Sequence, residues 1–252
     1  MARHDAVLLP GGMLPADLAY GDLIEALGDG VRAVAKDLEV YRADQPPPDY
    51  ALDVEIDGVA RQAAASGFDR FHVVGYSAGG AAAAAFAARH PERVRSLALL
   101  EPAWLGNERP TDAESAERQA AARLASLPPD RMLAEFVRMQ LAPGVEPPPP
   151  PAGAPQPWMA KRPLGLRALM AAFGGHRLEV DALRQLDAPV YYALGSLSNP
   201  NRYRRNAERA AELFGDFTLE VFEGRHHFDP PHRAEPERVA DSLLALWRRA
   251  PA

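Results

Sequence analysis

The chain contains no cysteine, which excludes disulfides and thiolate metal centres and is compatible with a reducing compartment. It has no excess of positive charge: 28 Lys and Arg stand against 34 Asp and Glu, a net charge of −6. Binding nucleic acid through an overall basic surface is thereby excluded, because phosphate neutralisation needs clustered cations. No apolar run approaches the length of a membrane span. The apolar stretch near the N-terminus, Ala6–Leu9, is far too short for a secretory signal. The expectation is a soluble, cytoplasmic protein with neither a membrane nor a nucleic-acid partner. Two glycine signatures are missing as well. G-x-G-x-x-G does not follow the first apolar run, and G-x-x-x-x-G-K-[ST] occurs nowhere, so nucleotide binding is set aside.

What is there has the ordinary composition of a soluble globular protein. The 252 residues are 47% hydrophobic and 25% charged, enough for one full core or two small ones. Short apolar runs alternate with longer helical patterns. Strands are expected at Ala6–Leu9, Val31–Ala35, Phe71–Gly75, Leu97–Leu100, Val190–Leu194 and Thr218–Phe222. Helices are expected at Leu18–Leu27, Val54–Ala65, Ala78–Arg89 and Ala234–Arg249. This alternation predicts an α/β fold with a mostly parallel sheet of about six strands and flanking helices. Between the fourth and fifth strands the register is lost. Helical segments at Ala113–Leu124, Arg131–Leu141 and Leu164–Phe173 fall there. Residues 104–186 are therefore read as a helical lid or cap, inserted into a core made of 1–103 and 187–252. Among the 25 prolines, the block Pro147–Pro151 is expected to be exposed and mobile.

One motif carries chemistry. Gly75-Tyr76-Ser77-Ala78-Gly79 is G-x-S-x-G between an apolar strand and a helix. A serine on such a sharp turn projects its hydroxyl into the open, and the flanking positions must lack bulk. The N–H groups of the following helix point toward charge developing there. The alanine run Ala81–Ala85 is read as a helix former packed closely on the sheet.

Over nearly its whole length the sequence resembles the α/β-hydrolase superfamily, with a shortened N-terminus. Besides the serine turn, Leu8-Leu9-Pro10-Gly11-Gly12-Met13 is similar to the family's oxyanion loop. Ala33 to Leu38 is similar to its second strand and aspartate. Phe222-Glu223-Gly224-Arg225-His226-His227-Phe228 looks like its histidine loop. The resemblance implies Ser77 as nucleophile and His227, three residues past Gly224, as base, with His226 the competing position. It implies an oxyanion hole from the Ala78 amide and one from Gly12 or Met13. No cofactor is expected.

At the third catalytic position the pattern breaks. The family usually places an aspartate after the strand Val190–Leu194, and Ser198 stands there, in Gly195-Ser196-Leu197-Ser198-Asn199-Pro200. A histidine base needs a partner to fix its tautomer. Glu101, at the end of the strand after the nucleophile helix, is the best substitute, since some branches of the family carry their acid there. A Ser–His dyad helped by Ser198, Asn199 or water is the alternative, and Asp229 is too close in sequence to His227. His232 either lines the entrance or is a surface residue, and His4, His72, His90 and His176 are read as structural or exposed. A metal site from His226, His227 and His232 is set aside, because the spacing and the missing Cys partners do not support one.

The expected function is hydrolysis of a small ester, thioester or lactone through an acyl-enzyme, in the manner of carboxylic ester hydrolases. The alternative is a non-catalytic binding protein on the same scaffold. Lyase, perhydrolase or C–C hydrolase chemistry stays open, as does oligomeric state. Trp104, Met132, Phe136, Met139, Trp158, Leu169, Met170 and Phe173 either line an apolar acyl pocket or form the lid's own core.

Overall fold

The computed structural model describes residues 3–108, 110–149, 154 and 156–251. Six strands form one sheet: β1 (His4–Leu9), β2 (Val31–Ala35), β3 (Phe71–Tyr76), β4 (Val94–Leu100), β5 (Val190–Gly195) and β6 (Phe217–Phe222). Their order is β2-β1-β3-β4-β5-β6, and every neighbouring pair is parallel. The strands read as near-continuous apolar runs because both faces of the sheet are covered. Val7 and Leu9 enter one core, while Ala6 and Leu8 enter the other. This is the period-2 alternation of a pleated strand applied to a sheet buried on both sides.

The helices follow the sequence pattern closely. α1 (Ala16–Leu27) and α10 (Pro236–Arg249) cover one face. α2 (Leu52–Ala65) and α3 (Ala78–Arg89) cover the other. Every residue of α3 from Ala78 to Ala88 is buried. Glycine is required at position 80, because a Cβ there would lie 2.9 Å from Pro102. The C-terminal helix expected over Ala234–Arg249 is α10, which starts two residues later; a separate short helix, α9 (Pro231–Ala234), precedes it, with the break at Glu235. Pro236 cannot donate the backbone bond that would join them, and it suits the first position of a new helix.

Between β4 and β5 lie α4 (Asp112–Leu124), α5 (Pro129–Met139), α6 (Arg162–Gly175) and the short α7 (Val180–Arg184). A capping box opens α4, with Thr111 and Glu114 exchanging bonds. Leu124, Met132, Leu166 and Leu169 from this segment join the core on the α3 face. After β5 come a π-helical turn, Pro200–Arg204, and α8 (Arg205–Leu213). α8 is not among the helices expected from the sequence: its buried stripe is Asn206, Ala207, Ala210 and Leu213, with one large apolar side chain among them. Of the proline block, Pro148 and Pro149 are exposed and Pro147 is half-buried, while Pro150 and Pro151 lie outside the described residues. Among the described residues no helix is long and apolar enough to cross a membrane.

The chain runs from β1 to the edge at β2 and then returns to the other side of β1 at β3. Loops leaving the carboxyl ends of β1 and β3 therefore diverge and open a crevice, the usual place for a ligand in such a sheet.

Candidate active site

Ser77 occupies the turn between β3 and α3, with φ 52° and ψ −116°. A non-glycine residue in this region is strained by about 1–3 kcal/mol, so its surroundings must hold it. A Cβ on Gly75 would lie 2.3 Å from the Gly79 carbonyl oxygen, and one on Gly79 would lie 2.2 Å from that of Leu9. The Ser77 N–H donates to the Leu100 carbonyl at 3.1 Å, and its own carbonyl accepts from the Ala103 N–H at 2.9 Å. The turn is thus tied to the end of β4.

That end carries Glu101, which also has a positive φ, 47°. Its N–H donates to the Ala193 carbonyl, and the following Pro102 carbonyl accepts from buried Asn206 Nδ2 at 2.8 Å. The side chain is 1% exposed. Oε1 accepts the Gly195 N–H at 2.8 Å, and Oε2 lies 2.9 Å from His227 Nδ1. His227 Nε2 in turn lies 2.9 Å from Ser77 Oγ. Ser77, His227 and Glu101 are therefore brought into one buried chain of hydrogen bonds.

His226 is directed elsewhere: its Nδ1 accepts the N–H groups of Phe228 and Asp229 at 3.2 and 3.1 Å. Asp229 pairs with Arg225. Ser198 is buried, but its Oγ has no partner, and Asn199 is engaged with Glu117 and Met139. The face of His227 away from Ser77 is held by Glu101. Burial pushes the His227 pKa down, and Glu101 opposes this by favouring the imidazolium. Burial therefore favours the neutral ring, the form that can accept a proton.

Two supports of His227 escape sequence reading. Tyr203, on the π-helical turn, stacks on the imidazole at 4.3 Å and 17°. Its hydroxyl donates to Gln140 Oε1 at 2.5 Å, and its carbonyl accepts from Tyr192. The Tyr76 hydroxyl donates to the His227 carbonyl. π-turns are frequent at functional sites, but nothing in the residue types Pro200 to Arg204 announces one.

The expected oxyanion donors line the same place. Pro10 and Gly12 give their carbonyls to the Gly79 N–H and to the Tyr41 hydroxyl. Among the described residues the amides of Gly12, Met13 and Ala78 find no acceptor. Gly12, Ser77 and Ala78 all face a cavity of about 450 Å³. Trp104, Phe136, Met139, Leu169, Met170 and Phe173 line it, whereas Met132 and Trp158 do not. Met132 is fully buried in the core. Trp158 lies under the Arg162 guanidinium. A second cavity of about 50 Å³ is bounded by Gly12, Met13, Ser77, His227 and His232.

His232 is neither a surface residue nor hydrogen-bonded. It is 1% exposed, both ring nitrogens lack partners, and burial lowers its pKa to about 3. His72 is structural, bonded to Ser96 and stacked on Trp247.

Comparison with known proteins finds a family model, the alpha/beta hydrolase fold, over residues 7–143, more than half of the chain. No curated protein matches the sequence. Among solved structures, a membrane phospholipase A described as a bacterial virulence factor is 24% identical, with TM-score 0.66 over 98% of this chain and 80% of that one. A thermophilic esterase from Thermogutta terrifontis is 20% identical, with TM-score 0.69 over 98% and 90% of the two chains. Naproxen esterase from Bacillus subtilis is 19% identical, with TM-score 0.63 over 97% and 84%. At these identities the likeness is one of fold.

Proposed function

The chain belongs to the α/β-hydrolase fold family, and from that premise we propose that it is a serine hydrolase acting on a small ester, thioester or lactone. The observation that carries this reading is the unbroken chain from Ser77 Oγ through both nitrogens of His227 to Glu101, 2.9 Å at each step. Fold alone would not carry it, because one fold hosts many activities.

A serine hydroxyl is a poor nucleophile until a base takes its proton. In the proposed reaction Ser77 Oγ attacks the carbonyl carbon while its proton passes to His227 Nε2. The Ala78 amide and that of Gly12 or Met13 hold the oxyanion. The leaving group departs with the proton from His227, and an acyl-enzyme remains. Water then attacks that acyl group, returns a proton through His227 and frees Ser77. Glu101 accepts from Nδ1–H throughout, keeping Nε2 free to act as the base. Residues 104–186 serve as the cap that closes the acyl cavity over a core of 1–103 and 187–252. A cytoplasmic setting belongs to the same reading, and the lack of cysteine is compatible with it without requiring it.

Intact-mass analysis during turnover of an activated ester tests the proposal. The parent protein should accumulate one acyl group, mapped to Ser77, and Ser77→Ala should neither acylate nor turn over. A parent that neither acylates nor turns over the ester would leave the non-catalytic reading in place, and an alanine variant as active as the parent would put the chemistry elsewhere than on Ser77.

A further inference from the structure

The large cavity has apolar walls, but its charges do not balance. Glu114 and Glu117 line it, and each already has an arginine: Glu114 pairs with Arg209 at 2.6 Å and Glu117 with Arg202 at 3.0 Å. Two further arginines line the same space, Arg118 from α4 and Arg167 from α6. Neither forms an ion pair among the described residues, and the residues outside the description include no Asp or Glu side chain. Arg118 bonds only the backbone carbonyls of Asn107 and Gly106, at 3.1 and 3.3 Å. Arg167 bonds the Leu127 carbonyl at 2.6 Å, and its Nε is buried without a partner. The nearest carboxylate influence on Arg118 is Glu114, four residues before it, and Arg209 opposes that influence. A chain with net charge −6 thus gathers two uncompensated guanidinium groups in the cavity beside its nucleophile. A partly desolvated cation without a counter-charge is costly to maintain, and a guanidinium presents a fork of donors that matches a carboxylate.

The two cavities at Ser77 also separate the halves of a substrate. His227 bounds the small one and not the large one. The leaving group must reach His227 to be protonated, so it belongs on the small side. The acyl part then extends past Ala78 into the large cavity.

We propose that the large cavity is an acyl site for anionic chains, in which a carboxylate on the acyl part of the substrate is held by Arg118 and Arg167. This rests on the hydrolase reading above and adds the substrate class. A leaving group on the small side is correspondingly short, such as methanol.

Monomethyl and dimethyl esters of succinate, glutarate, adipate and suberate test it, as anionic and neutral partners of equal length. Methanol release should give kcat/KM at least about tenfold higher for the monoester at one or more lengths. The ratio should fall toward one at high salt, because screening weakens the attraction. It should also fall in Arg118→Gln and Arg167→Gln and persist in the Lys variants, which keep the charge. Calorimetry on Ser77→Ala protein reads the same preference without catalysis. Selective monoester binding with no turnover in the parent would keep the anion site and sink the hydrolase reading. Turnover of both esters at similar kcat/KM for every length, with no binding preference, would overturn the anion site and leave the hydrolase reading standing.

Discussion

The carboxyl ends of β4 and β5 lie side by side in the sheet, yet they are furnished in opposite ways. The β4 end presents Glu101, a carboxylate with each oxygen engaged, one on Gly195 N–H and one on His227. The β5 end presents Ser198, where the sequence resemblance leads one to expect an aspartate, and its buried hydroxyl engages nothing. The same imidazole nitrogen is served from the neighbouring strand. What orients a base is a position in space, and two adjacent parallel strands can both reach it. The Gly195 amide couples the two ends: β5 carries no carboxylate here, but its last residue fixes one oxygen of the carboxylate that β4 presents to His227.

The largest expected effect breaks this contrast at its occupied end. Glu101→Gln keeps the shape but removes the acceptor that selects the His227 tautomer, and kcat on an activated ester should fall by about 10³- to 10⁴-fold. A residual rate within about threefold of the parent would show that the acid acts from elsewhere. Next comes the support from the turn after β5. Tyr203→Leu removes the ring stacked on His227, and kcat should fall by roughly 10- to 100-fold with little change in KM, since small misplacements of a base are costly. An unchanged kcat would make Tyr203 a packing residue only.

A smaller effect concerns pH and stability. His232 has a folded-state pKa of about 3, below its ordinary value of 6.5. Between those values the unfolded chain binds more protons than the folded one, so stability is full above about pH 6.5 and declines as pH falls toward 3. His232→Phe should flatten the fall of Tm across that window. A slope identical to the parent's would mean that this ring does not stay neutral on folding. The smallest effect lies at the vacant end. Ser198→Ala removes a buried hydroxyl without a partner, so stability should hold or rise by about 1 kcal/mol, with turnover unchanged. A marked loss of turnover would restore Ser198 to the site.

Much of this was legible in the sequence, and the reasons differ by element. The sheet was readable because strands buried on both faces have no choice but continuous apolar runs. The nucleophile turn was readable because Gly75 and Gly79 touch backbone, where no side chain fits. Glu101 could be named only as the best substitute, because its partnership with His227 spans 126 residues and is made by strand adjacency rather than spacing. Tyr203 and α8 were not legible. The one acts through a π-turn without residue signature, and the other is a short helix whose buried face, Asn206, Ala207, Ala210 and Leu213, holds a single large apolar side chain. The charge imbalance of the large cavity could not be read either, since it depends on which arginines the carboxylates had already taken.

The most direct test of the account is the rate at which a fluorophosphonate labels Ser77 in the parent, Glu101→Gln and Ser198→Ala proteins, followed by peptide mapping. The account predicts prompt labelling of Ser77 in the parent and in Ser198→Ala, and labelling at least about a hundredfold slower in Glu101→Gln. A parent that stays unlabelled while folded, or a Glu101→Gln protein that labels as fast as the parent, would contradict it.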